Sequence, residues 1–186
     1  MATLKEIILA AGYATRLYRL TKDKPKALLP VARRSMMEYI LDNLARVSVV
    51  DEIIVVSNAR FYDQFCDWKR KYQYPVPIEI LNDGTASNDN RLGAVADLHL
   101  AVKKYNINED IIVVAGDNLF DFELSEFIAF YHEVQSDCIC AGQLDDLHVL
   151  RRFGVVELDE QSRAIKCPPL SRHEFNIYPK AHCRMK

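Results

Sequence analysis

Four short apolar runs, each followed by a stretch of different periodicity, constrain the fold of this chain more than any other feature. Ile7-Ile8-Leu9-Ala10-Ala11, Glu52–Ser57, Ile78–Leu81 and Asp110–Ala115 are almost continuously apolar and rich in β-branched residues. Runs of this length without polar alternation read as strands covered on both faces, as in a parallel sheet. Between them Ser35 can cap a helix whose apolar stripe is Met36, Met37, Tyr39, Ile40, Leu44 and Val47. Over residues 60–72 the aromatics Phe61, Phe65, Trp68 and Tyr72 recur every three or four positions, a helical stripe read as core. The pattern predicts further helices over 92–104 and about 123–134, and further strands over 137–142 and 154–158. Strands alternating with helices at this spacing mean a Rossmann-like α/β fold of three layers around a mostly parallel sheet.

In such sheets ligands sit beyond the carboxyl ends of the strands, and three candidate segments fall there: 12–26, 82–93 and 116–118. The first turns at Gly12 and carries Arg16, Arg19, Lys22, Lys24 and Lys26 against the single acid Asp23. Its small residues Gly12, Ala14 and Thr15 let backbone approach a ligand that larger side chains would hold off. Backbone N–H groups and cations at the end of a buried strand suit a polyphosphate. A solvated basic loop that binds nothing also accounts for the charges. In the third segment Asp117 ends the run VVAGDNLF. A carboxylate there can hold Mg²⁺, a hard ion that prefers oxygen, or it can cap the next turn. Asn118 and Asp121 are weaker candidates beside it.

The stretch LAAGYATRLYRLTKDKPKALLPV resembles the signature of the sugar-phosphate nucleotidyltransferases, the family of glucose-1-phosphate thymidylyl- and uridylyltransferases. That signature runs L-A-A-G-x-G-T-R-L-x-P-L-T-x4-P-K-x-L-L-P-V, and the likeness continues to about residue 160. Ala14 stands in place of a glycine, Arg19 in place of a proline, and Arg33-Arg34-Ser35 in place of a Gly-Lys-Pro turn. The resemblance implies transfer of a nucleoside monophosphate from a nucleoside triphosphate to a sugar 1-phosphate or similar small phosphate. It implies that Leu9, Ala11, Gly12, Ala14, Thr15 and Arg16, with Gly93 of the Leu92-Gly93 pair, line the nucleotide. It also assigns Arg16 and Lys26 to the reacting phosphates and Asp117 to Mg²⁺. Ahead of Leu92 the loop NDGTASNDNR departs from the common Q-x-x-P-x-G-T-A form and leaves the base open.

Composition narrows the alternatives. A net charge of −2 over 186 residues argues against a general nucleic-acid binder. No apolar stretch approaches the roughly 18–20 residues of a membrane span. MATLKEIILAAG has no basic region ahead of its apolar run, so it is not expected to be a signal peptide. Five scattered cysteines fit a reducing, cytoplasmic setting, with Cys138 and Cys140 read as core residues of one strand face. The five histidines lack metal-ligand spacing. A dinucleotide-dependent oxidoreductase fits poorly, because G-Y-A-T-R-L lacks the glycine spacing and no acid ends the second strand.

Beyond residue 166 the likeness stops. No Glu-Lys-Pro follows, and residues 163–186 hold six Lys or Arg against one Glu, with Pro168, Pro169 and Pro179. The expectation is a nucleotide-binding domain over 1–166, lacking the C-terminal part of the fold, and a basic, poorly folded tail over 167–186. An inactive nucleotide-binding fragment is therefore the alternative to a working transferase.

Overall fold

The computed structural model describes residues 3–142, 148, 155–161 and 163–166. Two compact units, Met1–Leu119 and Phe120–Lys186, divide the chain. The first holds strands β1 (Leu4–Leu9), β2 (Pro30–Val31), β3 (Arg34–Ser35), β4 (Val50–Ser57), β5 (Ile78–Asn82) and β6 (Ile111–Ala115). Its helices are α1 (Tyr18–Thr21), α2 (Met36–Leu44), α3 (Tyr62–Lys71) and α4 (Ala94–Tyr105). All four predicted runs are strands, and they pair in parallel in the order β5-β4-β1-β6.

Register explains why the runs are apolar throughout. Ile7 and Leu9 stand level with Ile54 and Val56 of β4 and with Val113 and Ala115 of β6. On that face Ile7, Ala11, Ile54, Val56 and Leu81 pack with Ala101 of α4 and with Ile107. The alternate residues Glu6, Ile8, Ile53 and Val55 are also buried, as are Met37, Ile40, Leu41 and Leu44 of α2 and Phe65 of α3. Trp68 of α3 donates from its indole to Glu38 of α2 at 3.3 Å, and Tyr74, just beyond α3, donates to the Leu41 carbonyl at 2.7 Å. Each fully buried aliphatic or aromatic side chain here contributes about 1.5–3 kcal/mol relative to exposure.

Local chemistry sets the ends of the elements. Ser35 caps α2 by accepting from the Glu38 N–H at 3.4 Å. Just before it, Ala32 (φ 46°) and Arg33 (φ 76°) are both left-handed and close a two-residue hairpin between β2 and β3. That is the turn where the resemblance calls for glycine, and a left-handed two-residue hairpin is where glycine is favoured.

In the second unit, α5 spans Leu124–Val134, and β7 (Glu157–Leu158) pairs antiparallel with β8 (Ala164–Lys166). Asp159 closes this hairpin, accepting from the N–H groups of Gln161 and Arg163 and from the Arg163 guanidinium. Those donors hold its carboxyl below the usual range. The strand expected over 137–142 does not form, and these residues take no regular structure. A strand needs a ladder partner for its backbone groups, and among the described residues none pairs with this run. Cys138 instead donates its thiol to the Ser136 carbonyl at 3.2 Å, half-buried like Cys140 rather than in a core. Of the strand expected over 154–158, Glu157 and Leu158 are in β7, and Gly154 lies outside the described residues, as does the tail over 167–186. Among the described residues no helix is long and apolar enough to cross a membrane.

Candidate nucleotide site at the ends of the parallel strands

The strand order sends the chain outward from β1 to β4 and β5, then back to the far side of β1 for β6. At such a reversal the segments leaving the two adjacent strands diverge and open a crevice above the sheet. The loop after β1 and the Gly116-Asp117 turn after β6 flank this crevice.

The turn after β6 is held tightly. The Gly116 N–H donates to the Leu9 carbonyl at 2.9 Å. A Cβ at Gly116 would lie 3.1 Å from Ala10 Cβ, 3.2 Å from Ile8 Cγ2 and 3.4 Å from Ala27 Cβ, so glycine is required by close approach. Ala27 belongs to the short helical turn Lys26–Leu28, which buries Ala27 and Leu28 and is closed by the Leu29 N–H on the Lys26 carbonyl at 3.0 Å. With its backbone anchored there, Lys26 donates from Nζ to Asp117 Oδ2 at 2.6 Å. Both side chains keep part of their surface open to solvent, 21% for Lys26 and 38% for Asp117.

The loop between β1 and Lys26 is fastened at several points. Ala14 is left-handed (φ 45°), a conformation open to glycine at less cost, as the resemblance calls for there. Its carbonyl accepts from the Leu17 N–H and from the buried Thr21 hydroxyl, each at 2.9 Å. The Arg60 guanidinium donates to the Lys22 carbonyl, and Gln64 donates to that of Asp23 at 3.0 Å. Gly12 is exposed, with open space where a Cβ would stand. Ala11 is buried in the core, and its carbonyl accepts from the buried Asn58 amide at 2.8 Å. Leu9 ends β1 half-buried, and Thr15 is exposed. Arg16 is exposed and lines a shallow cavity of about 440 Å³ with Thr15, Leu17, Tyr18, Arg19 and Leu20. Lys26 and Asp117 do not line that cavity.

The loop after β5 bends twice on its own side chains. Asn82 accepts from the Gly84 N–H at 2.8 Å, and Asp83 from the Thr85 N–H at 2.7 Å. Gly84 (φ 81°) and Gly93 (φ 90°) both need a conformation that L side chains rarely adopt. The buried hydroxyls of Thr85 and Tyr13 meet at 3.1 Å and join this loop to the one after β1. Helix α4 starts at Gly93, whose carbonyl accepts from the Asp97 N–H at 2.9 Å.

Of the sequence-predicted residues, the structure therefore brings Lys26 and Asp117 into direct contact and puts Ala11, Gly12, Ala14, Thr15 and Arg16 on the segment that follows Leu9, the last residue of β1. Gly93 stands at the entry to α4. Two features escaped the sequence reading: the Tyr13–Thr85 bridge and the Asn58 anchor. An Asp-Gly-Thr after a strand signals a side-chain-capped turn, but its partners lie too far along the chain to be read by spacing.

A family model described as nucleotidyl transferase matches residues 5–167. A relative from Sulfolobus acidocaldarius is 32% identical over 154 residues, covering 82% of this chain and 40% of its own. D-glycero-alpha-D-manno-heptose 1-phosphate guanylyltransferase of Campylobacter jejuni is 29% identical over 168 residues, which are 87% of this chain and 66% of that protein. The chain thus spans roughly two fifths to two thirds of the length of these relatives. Among solved structures, UTP-bound UGPase from Acinetobacter baumannii superposes with a TM-score of 0.67 at 19% identity, over 92% of this chain and 70% of that one. That likeness establishes the shared fold.

Proposed function

Because the chain belongs to the nucleotidyl transferase family, we propose that it binds a nucleoside triphosphate at the ends of β1 and β6 and transfers the nucleoside monophosphate to a sugar 1-phosphate or similar small phosphate. The observation that carries this is the 2.6 Å contact of Lys26 with Asp117 across the crevice. It sets a cation and a metal-capable carboxylate beside the loop in which the family signature falls. The names of the relatives, a heptose 1-phosphate guanylyltransferase and a glucose-1-phosphate uridylyltransferase of Haloferax volcanii among them, point to the same chemistry.

In the proposed reaction an oxygen of the acceptor phosphate attacks the α-phosphorus, the bond to the β-phosphate oxygen breaks, and pyrophosphate leaves. The nucleophile is already anionic, so no strong base is needed; positioning and charge neutralisation do the catalysis. Lys26 is assigned to the phosphates at the reacting centre, where an ammonium offsets charge gathering on the equatorial oxygens. Arg16 is assigned to the remaining phosphates, which a planar guanidinium can grip through two parallel hydrogen bonds. The exposed backbone at Gly12 leaves room for the triphosphate to approach.

Asp117 fits one Mg²⁺ ligand. It spends one oxygen on Lys26 and is partly open to solvent, and no group of three candidate ligands occurs among the described residues. Magnesium commonly takes one or two carboxylates and completes its shell with phosphate oxygens and water. When bound, the ion supplies neutralisation between phosphate oxygens. A cytoplasmic setting belongs to the same proposal and rests on the scattered placement of the five cysteines in the sequence.

Pyrophosphate release, measured with a panel of nucleoside triphosphates and sugar 1-phosphates in the presence of Mg²⁺, tests the activity. Asp117→Asn is expected to remove the magnesium dependence of triphosphate binding while the circular dichroism spectrum is unchanged. Retained dependence returns Asp117 to a capping role. Triphosphate binding without pyrophosphate release favours the second reading, a nucleotide-binding chain without transferase activity.

A further inference from the structure

The loops after β1 and β5 each bury one side chain, and those two side chains touch. Between the core residue Ala11 and the buried Thr21, Tyr13 is 5% exposed, while Ala14 is half-buried and the others are open to solvent. Between Leu81 and the buried Asp97, Thr85 is 4% exposed and the rest are exposed or half-buried. The Tyr13 and Thr85 hydroxyls meet at 3.1 Å. Thr85 gives its own proton to Asp83 Oδ1 at 2.8 Å, so Tyr13 is the donor to Thr85. A buried hydroxyl that loses its partner is costly, so the contact fixes both loops where they stand.

Backbone bonds brace each end of this bridge. On either side of Tyr13, the Ala11 carbonyl accepts from the fully buried Asn58 amide, and the Ala14 carbonyl from Leu17 and Thr21. Asn58 itself is fixed by accepting from the Phe61 N–H at 3.1 Å. Around Thr85, its carbonyl accepts from the Ala59 N–H, and the Asp83 N–H donates to the Ser57 carbonyl, each at 2.8 Å. The loop after β4 thus ties both neighbours to itself, and β5 stands two strands from β1, roughly 10 Å across the sheet. The charges of the bridged loops differ. Residues 12–26 carry Arg16, Arg19, Lys22, Lys24 and Lys26 against Asp23, whereas residues 83–93 carry Asp83 and Asp89 against Arg91. A ligand that meets both presents its anionic end to the first and its uncharged end to the second.

We propose that Tyr13 and Thr85 are positioning residues: their hydroxyl contact clamps the phosphate segment after β1 and the loop after β5 at one spacing, so that triphosphate and nucleoside are gripped together. The clamp stands on the geometry; its role toward nucleotide rests on the function proposed above, in which the residues after β1 and Gly93 line one ligand. Preorganisation of this kind is felt by a ligand that uses both loops. A fragment that uses one loop finds it already held by its own backbone bonds. Without the bridge the two loops move independently, and the whole nucleotide has to order them as it binds.

Tyr13→Phe removes the hydroxyl and keeps the ring. With magnesium present, the four ribonucleoside triphosphates and dTTP are titrated, and the Kd of the tightest is expected to rise about five-fold in this variant. The Kd of inorganic tripolyphosphate is expected to change by less than about two-fold. The amides of Leu17, bonded to Ala14, and of Ala59, bonded to Thr85, report on the two loops. Both are expected to exchange about five-fold faster in the free variant. Thr85→Val, which removes the partner hydroxyl, is expected to give the same split between ligands, and it decides the matter if Tyr13→Phe does not fold. Thr85→Ser keeps a hydroxyl and is expected to bind triphosphate more tightly than Thr85→Val. An equal rise in Kd for triphosphate and tripolyphosphate marks a merely structural contact and overturns the proposal. So does an unchanged triphosphate Kd, faster exchange at one amide alone, or a serine variant no better than valine. If no triphosphate binds wild type, the function reading fails and exchange alone judges the clamp.

Discussion

Glu6 sits in the middle of β1, fully buried, and neither of its carboxylate oxygens meets a donor among the described residues. Burial alone lifts its pKa well above that of an ordinary glutamate. The sign of the stability effect follows. Where the folded pKa lies above the unfolded one, the native state binds more protons, and stability declines as pH rises between the two. Glu6→Gln is therefore expected to denature at higher urea concentration than wild type at pH 8, with the gap closing toward pH 4. A constant gap would mean that Glu6 ionises normally in the fold. Gly116 makes a steric argument instead. Its absent Cβ would press on Ala10, Ile8 and Ala27, all held by backbone or core. Gly116→Ala is expected to cost about 1–3 kcal/mol in chemical denaturation. It should also weaken triphosphate binding, because Asp117 is next in the chain and Ala27 adjoins Lys26.

At the scale of elements, the hairpin joining β2 and β3 carries an avoidable strain. Ala32 and Arg33 are exposed and both left-handed, a geometry in which an asparagine followed by a glycine is preferred. The double substitution Ala32→Asn with Arg33→Gly is expected to raise stability by about 1 kcal/mol, read as a shift in denaturation midpoint at unchanged m-value. The sequence shows that this turn departs from its family pattern; it does not show the sign of φ, which the flanking strands impose. Strands β1, β4, β5 and β6 were legible because burial on both faces leaves an unbroken apolar run, and cap chemistry marked Ser35. Residues 137–142 were misread because a short apolar run carries no information about whether a partner strand exists. The Tyr13–Thr85 bridge was invisible for a related reason: it joins two loops seventy-two positions apart, which no local pattern encodes. Lys26 and Asp117 are ninety-one positions apart, and only the strand order makes them neighbours.

For the molecule as a whole, protection from exchange should follow the burial of the strands. β1 and β4 are central, and Ile53, Ile54, Val55 and Val56 are fully buried. β7 is exposed and, among the described residues, pairs with β8 in a small two-stranded hairpin. Among the described strands, hydrogen exchange is expected to be slowest over residues 4–9 and 50–57 and fastest over 157–158 and 164–166. Comparable rates would mean that the second unit has a core of its own beyond Leu124 and Ile128. The contact between Lys26 and Asp117 has a consequence for the proposed chemistry. At rest the ammonium and the carboxylate quench each other, so an approaching ligand meets neither charge in full. A bare triphosphate would have to draw the ammonium away and then face the uncovered carboxylate. A lone divalent ion would have to evict the ammonium and lie beside it. Under the proposed function, a metal–nucleotide complex arriving as one would let each component take up the charge the other exposes, so the resting pair would favour that complex over either component alone.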